Sequence, residues 1–221
     1  MKFLGTLLCL AIVLISCQKK PQEIVSMDAE ISAFKRADSL NFPPPKGLLF
    51  IGSSSIKLWN DLEVVFKDYG AINRGFGGST LLDAKHYAKD IIFPYHPRQI
   101  VIYSGENDLL SDTVTAIMLL GRFKVLFETI RREMPEVAIA YISIKPCPGR
   151  KHYIPLIREC NALLKSYILS QEKAVFIDVF TPLTRRGQLR PELYREDAVH
   201  LNDKGYEIWV KAIAPYLVKK Q

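Results

Sequence analysis

The sequence predicts an α/β fold built on a buried parallel sheet. Three observations carry that prediction. Short runs that are apolar at every position recur along the chain, as strands buried on both faces require. Between them lie longer stretches with helical spacing of apolar residues, and strands alternating with helices favour right-handed crossovers and parallel neighbours. The chain is 221 residues long, with 48% hydrophobic and 24% charged residues, which suits one domain with a sizeable core.

Residues 18–27 read as a tether. Ala29–Leu40 has helical spacing, and Pro43-Pro44-Pro45 stops it. Leu48–Ile51 is the first strand, closed by Gly52, and Ala71-Ile72-Asn73 the second, leading into Gly75-Phe76-Gly77-Gly78. A helix over Thr80–Asp90 opens with Thr80 and Asp83 at capping-box spacing, with Asp in place of the usual Glu or Gln. Ile100–Tyr103 closes at Gly105, Val137–Ile144 at Pro146 and Ala174–Ile177 at Asp178. Val114–Arg132, Tyr153–Ser170 and Asp203–Val218 complete the helices. Neither an internal repeat nor a low-complexity segment interrupts this rhythm, so one domain over 28–221 is expected.

The first residues read differently. Met1-Lys2 gives a short charged start, and Phe3–Ile15 is apolar but too short to span a bilayer as a mature helix. It ends Leu14-Ile15-Ser16-Cys17, which resembles a bacterial lipobox. Residues 1–16 are therefore expected to be a lipoprotein signal peptide, with lipid on Cys17 and residues 17–27 as the tether. An ordinary secretory signal peptide with an incidental cysteine is the alternative. The lipoprotein reading is preferred because Cys17 stands where a small-residue cleavage site belongs and polar Gln18-Lys19-Lys20 follows at once. It implies export and a lipid anchor in the outer membrane, on its periplasmic or surface side. Stable anchoring takes about two acyl chains, and lipoproteins carry at least that many.

Lys and Arg (30) exceed Asp and Glu (23), for a net charge of +7. The basic residues fall in scattered doublets (Lys19-Lys20, Arg131-Arg132, Arg150-Lys151, Arg185-Arg186, Lys219-Lys220) that read as solvated charge, so no nucleic-acid partner is expected. Of the cysteines, Cys9 belongs to the leader and Cys17 to the lipid. An oxidising location permits a Cys147–Cys160 disulfide. Cys160, however, lies on the apolar stripe Ile154, Ile157, Cys160, Leu164 and is read as a buried free thiol.

Four short blocks carry chemistry, three of them just after a strand. That placement matters, because ligands of open α/β sheets bind beyond the carboxyl ends of the strands. In Phe50-Ile51-Gly52-Ser53-Ser54-Ser55-Ile56-Lys57-Leu58-Trp59, a serine after a strand and a glycine can be held at a sharp turn. The next helix start offers backbone N–H groups nearby. A plain helix cap is the simpler alternative, and nothing physical chooses among the three serines. Asn73-Arg74-Gly75-Phe76-Gly77-Gly78-Ser79-Thr80 lets backbone approach a ligand closely, or is a plain strand-to-helix turn. In Gly105-Glu106-Asn107-Asp108, a carboxamide at a strand end can donate into the crevice, or cap a helix. In Asp197-Ala198-Val199-His200-Leu201-Asn202, the carboxylate can reach the Nδ1 of the histidine three residues on and leave Nε2 free as a base. His86, His96 and His152 read as surface, turn and solvated residues.

Taken together and in this order, the four blocks resemble those of the SGNH hydrolases, named for their Ser, Gly, Asn and His. Phe50–Trp59, Asn73–Thr80, Tyr103–Asp108 and Ile142–Pro146 look like a bacterial GDSL-like acylhydrolase subfamily. The likeness runs from Ala33-Phe34 to Pro215. It implies a three-layer α/β/α sandwich around a five-stranded parallel sheet of order 2-1-3-4-5, with Ser54 and Asn107 facing each other across the crevice between adjacent strands. It further implies ester hydrolysis with Ser54 as nucleophile, His200 as base and Asp197 as its partner. The implied oxyanion donors are the backbone N–H groups of Ser54 and Gly78 and the side chain of Asn107. No metal or organic cofactor is implied. The sequence departs from the pattern at Ser53, where the family carries Asp, and at Ala198, where Gly is expected. The substrate is not written in these blocks. A short acyl ester, such as an O-acetylated carbohydrate, is expected, with loops 146–153 and 181–194 shaping the pockets. A lysophospholipase, a thioesterase and a silent glycan-binding lipoprotein are the alternatives.

Overall fold

The computed structural model describes residues 26–219. The expected signal peptide, Cys17 and most of the expected tether lie outside the described residues. Among the described residues, no helix is long and apolar enough to cross a membrane.

Five parallel strands form the sheet: β1 (Leu48–Gly52), β2 (Ala71–Gly75), β3 (Gln99–Tyr103), β4 (Ala138–Ile142) and β5 (Ala174–Ile177), in the order β2-β1-β3-β4-β5. This is the α/β sandwich and strand order implied by the resemblance. Residues of β1 and β3 are wholly buried because helices cover both faces. Successive side chains point to opposite faces, so each strand feeds two cores. Leu49, Ile51, Ile100, Ile102, Ile139 and Tyr141 pack with α1 (Met27–Leu40), α4 (Leu81–His86), α5 (Ala88–Ile91), α6 (Ala116–Glu133) and α7 (Ile154–Leu169). Leu48, Phe50, Val101, Tyr103, Ala140 and Ile142 pack with α2 (Ser54–Lys57), α3 (Leu62–Val65) and α8 (Asp203–Ile213).

Several element ends differ from the sequence reading for local reasons. The first helix begins at Met27, inside the expected tether, because Ser26 caps it by accepting from the N–H of Ala29. The helix expected over Thr80–Asp90 is two, joined at Tyr87, although the Thr80–Asp83 capping box forms as expected. The last helix stops at Ile213 rather than Val218, since Pro215 cannot continue it, and a 3-10 turn follows. Residues 181–194, expected as loop, are not wholly irregular. They contain a hairpin of β6 (Thr184–Arg185) and β7 (Gln188–Leu189), turning on Arg186 and Gly187, both at positive φ.

Beneath the carboxyl ends of β1 and β3 lies an aromatic cluster. Trp59, just after α2, stacks on Tyr206 of α8 at 4.9 Å and meets Trp209 edge-on at 5.8 Å. The two segments that carry the first and fourth blocks are thus locked together by buried rings, and truncating such a ring costs about 3–5 kcal/mol.

Candidate active site

The first block turns sharply at Gly52. Its φ is 139°, and a Cβ there would lie 1.8 Å from the carbonyl oxygen of Tyr103 on β3. The Ser53 N–H donates to that oxygen at 3.1 Å, and the Gly52 carbonyl accepts from Phe76 at 2.9 Å. Ser53, extended, then starts α2 at Ser54. The Asp expected at position 53 is not needed for this geometry, because backbone bonds to β3 and the Asn73 side chain, donating to Ile56 O at 2.9 Å, hold the turn. Ser53 and Ser55 are buried. Ser54 is partly exposed and is the serine of the three that hydrogen-bonds to a histidine.

That histidine is His200. A bridge between Tyr194 and Leu201 closes the loop that carries it. Within the loop, Asp197 Oδ2 lies 2.7 Å from His200 Nδ1, and His200 Nε2 lies 2.8 Å from Ser54 Oγ. Asp197 Oδ1 accepts the backbone N–H groups of Val199 and His200 at 2.8 and 2.9 Å. Burial alone would raise the Asp197 carboxyl, but these donors and the imidazole pull it down to about 2. Ala198 adopts φ 58°, the left-handed backbone that explains why glycine was expected there. Arg195, which the sequence reading did not single out, ties the loop to the serine segment by donating to Leu201 O at 2.9 Å and to Leu58 O at 3.1 Å. His86, His96 and His152 are exposed, and Asp83, three residues ahead of His86, bonds to Thr80 instead.

The second and third blocks follow β2 and β3, the strands on either side of β1. Gly78 sits at φ 69°, in the turn between β2 and α4. Its N–H and that of Ser54 find no protein acceptor among the described residues. Asn107 opens a 3-10 turn after β3 and donates through Nδ2 to Ser79 O at 3.1 Å, which brings the second and third blocks into contact. Asp108, buried, accepts from Leu81 N at 3.0 Å and pairs with Arg122 at 2.9 Å, fixing the same turn to α4 and α6. Arg150, expected from its doublet to be solvated charge, is not. Its side chain is mostly buried and paired with Glu106 at 2.9 Å. Cys147 and Cys160 are both buried free thiols. The cavity of about 220 Å³ beyond β4 and β5, lined by Ser143, Arg158 and Asp178 among others, holds none of these groups.

The GDSL-like Lipase/Acylhydrolase family model matches residues 54–208, from the serine of the first block past the histidine of the last. The chain belongs to that family. As a GDSL-like acylhydrolase it is a hydrolase of the esterase class. Solved structures share its fold. A GDSL-like lipase from Bacteroides thetaiotaomicron is 20% identical, with a TM-score of 0.70 over 84% of this chain and 96% of that one. A lipase/acylhydrolase from Enterococcus faecalis is 21% identical, with a TM-score of 0.62 over 79% of this chain and 99% of that one. An acetylxylan esterase from Geobacillus stearothermophilus is 17% identical, with a TM-score of 0.62 over 80% of this chain and 96% of that one. No curated protein matches the chain.

Proposed function

We propose that this acylhydrolase cleaves short-chain acyl esters, with an O-acetylated carbohydrate as the preferred substrate class, through Ser54, His200 and Asp197. One observation carries the reading: the unbroken hydrogen-bonded chain Asp197–His200–Ser54, with links of 2.7 and 2.8 Å. His200 Nε2 takes the proton of Ser54 Oγ as the oxygen attacks the acyl carbonyl. Asp197 stays ionised, orients the ring and stabilises the imidazolium. The oxyanion of the tetrahedral intermediate is received by the N–H groups of Ser54 and Gly78 and by Asn107 Nδ2. The alcohol leaves with the proton from His200. Water then attacks the acyl-serine with His200 again as base, releasing the acid.

The acetylxylan esterase among the structural neighbours supports the acetyl-carbohydrate choice. Leu14-Ile15-Ser16-Cys17 supports a lipid anchor on Cys17 and an outer-membrane location. A p-nitrophenyl ester series from acetate to decanoate tests the acyl preference. Highest kcat/KM at acetate supports it, and a maximum at eight carbons or more replaces it with a lysophospholipase or lipase reading. Loss of radiolabelled palmitate in Cys17→Ser tests the anchor, and a wild-type protein that takes up no palmitate removes it.

A further inference from the structure

The mechanism leaves one buried ionic cluster unused. Glu106 lies against Asn107 in sequence, and its side chain is 4% exposed. One carboxylate oxygen accepts from Lys145 Nζ and from Tyr103 OH, both at 2.5 Å, and the other from Arg150 Nη1 at 2.9 Å and Cys147 Sγ at 3.4 Å. Burial alone would raise the Glu106 carboxyl, yet Lys145 and Arg150 hold it below its ordinary range. One carboxylate thus faces two cationic side chains, and the cluster carries a surplus positive charge.

That charge is wired to the carboxamide next door. Arg150 Nη1 also donates to Asn107 Oδ1 at 3.2 Å. A guanidinium can only donate and the Ser79 carbonyl can only accept, so these two partners together fix which end of the amide is oxygen and which is nitrogen. One Nδ2 hydrogen goes to Ser79, and the second has no partner among the described residues. Hydrogen bonds in a chain polarise one another, and donation into Oδ1 strengthens the opposite N–H as a donor.

We propose that Arg150, gripped by buried Glu106, is a positioning residue that sets and polarises the Asn107 carboxamide for the developing oxyanion. This rests on Asn107 being an oxyanion donor. The same segment also reaches the histidine loop, where Gly149 N donates to Ala198 O at 2.9 Å. Arg150 therefore sits in the strap that joins the oxyanion side of the site to the base.

The test is a double-mutant cycle on the full chain, with p-nitrophenyl acetate as the neutral substrate and a thermal melt on every variant. Arg150→Met lowers kcat about tenfold and leaves KM within about twofold, while in an Asn107→Ala background it costs less than about twofold. A merely structural role would cost the same in both backgrounds, and that outcome overturns the proposal. A raised KM with unchanged kcat also overturns it, because Arg150 would then bind substrate directly. If Asn107→Ala lowers kcat and Arg150→Met does not, the Arg150 proposal alone fails. If Asn107→Ala leaves kcat unchanged, the oxyanion reading fails and takes this one with it. Should Arg150→Met not fold, Arg150→Gln keeps an N–H donor without the charge. A loss confined to the Asn107 background supports the proposal, and equal losses or none overturn it.

Discussion

Replacing Gly52 by alanine puts a methyl carbon 1.8 Å from the carbonyl oxygen of Tyr103. That contact must open by more than about 1.5 Å to reach the roughly 3.5 Å of ordinary contact. Paired strands lie only about 4.8 Å apart, so β1 cannot withdraw that far from β3 and keep its ladder. A residue with a Cβ at φ 139° adds backbone strain. Strain of about 1–3 kcal/mol, overpacking of about 1–3 kcal/mol and loss of the Ser53–Tyr103 hydrogen bond at about 1 kcal/mol sum to roughly 3–7 kcal/mol. For a domain of this size that lowers Tm by roughly 6–28 °C. The damage is also local to Ser54, two residues on, so the variant loses kcat/KM even well below its melting temperature. Thermal melting by circular dichroism and p-nitrophenyl acetate turnover at low temperature read the two effects. A variant that melts within about 3 °C of wild type and keeps its kcat/KM would refute the view that this turn sets the serine.

The other predictions concern the shares within the site. Asn107→Ala lowers kcat by roughly 10²–10³ with a smaller change in KM, because its donor acts chiefly once the oxyanion forms; a rise in KM alone would make it a ground-state binding residue. His200→Ala removes more kcat than Asp197→Asn, because the carboxylate acts only through the imidazole, and steady-state kinetics on both variants would contradict this if the order reversed. Asp197 is held at about 2 against an ordinary carboxyl, so it remains ionised throughout the working range. Its folded value is the lower one. The stability it contributes is therefore present above about pH 4 and lost as pH falls toward 2. Thermal melts from about pH 2 to 7 check this: wild type loses that increment below about pH 4 and Asp197→Asn does not, and the same acid dependence in both would contradict it.

The sheet was legible because its central strands β1 and β3 are buried on both faces, so the apolar runs around Leu48–Ile51 and Ile100–Tyr103 carry no polar alternation to confuse with a surface strand. Helix ends were less so. Pro215 was visible in the sequence, yet the apolar spacing ran past it to Val218. The short β6–β7 hairpin hid behind arginines, and the signal that would have found it is Arg186-Gly187, a two-residue turn of residues at positive φ. Within the site, Ser54, Gly78, Asn107, Asp197 and His200 were nameable from motif order, because each lies in a short local block. The choice of Ser54 over Ser53 and Ser55 came from the family resemblance and not from local physics, since a difference of one residue in a turn decides which hydroxyl faces the histidine. Arg150 and Arg195 escaped notice for a different reason. Both act at long range, on Glu106 and Leu58 respectively, and a basic residue in a loop looks solvated until the fold brings its acceptor to it.

The central claim is that the Ser54 oxygen is the atom His200 activates. Incubation of the full chain with a fluorophosphonate, followed by proteolysis and peptide mass spectrometry, tests it most directly. The account predicts one phosphonyl adduct, on Ser54, absent from Ser54→Ala and suppressed in His200→Ala while both variants melt near wild type. An adduct on Ser53 or Ser55, or undiminished labelling of Ser54→Ala, would contradict it.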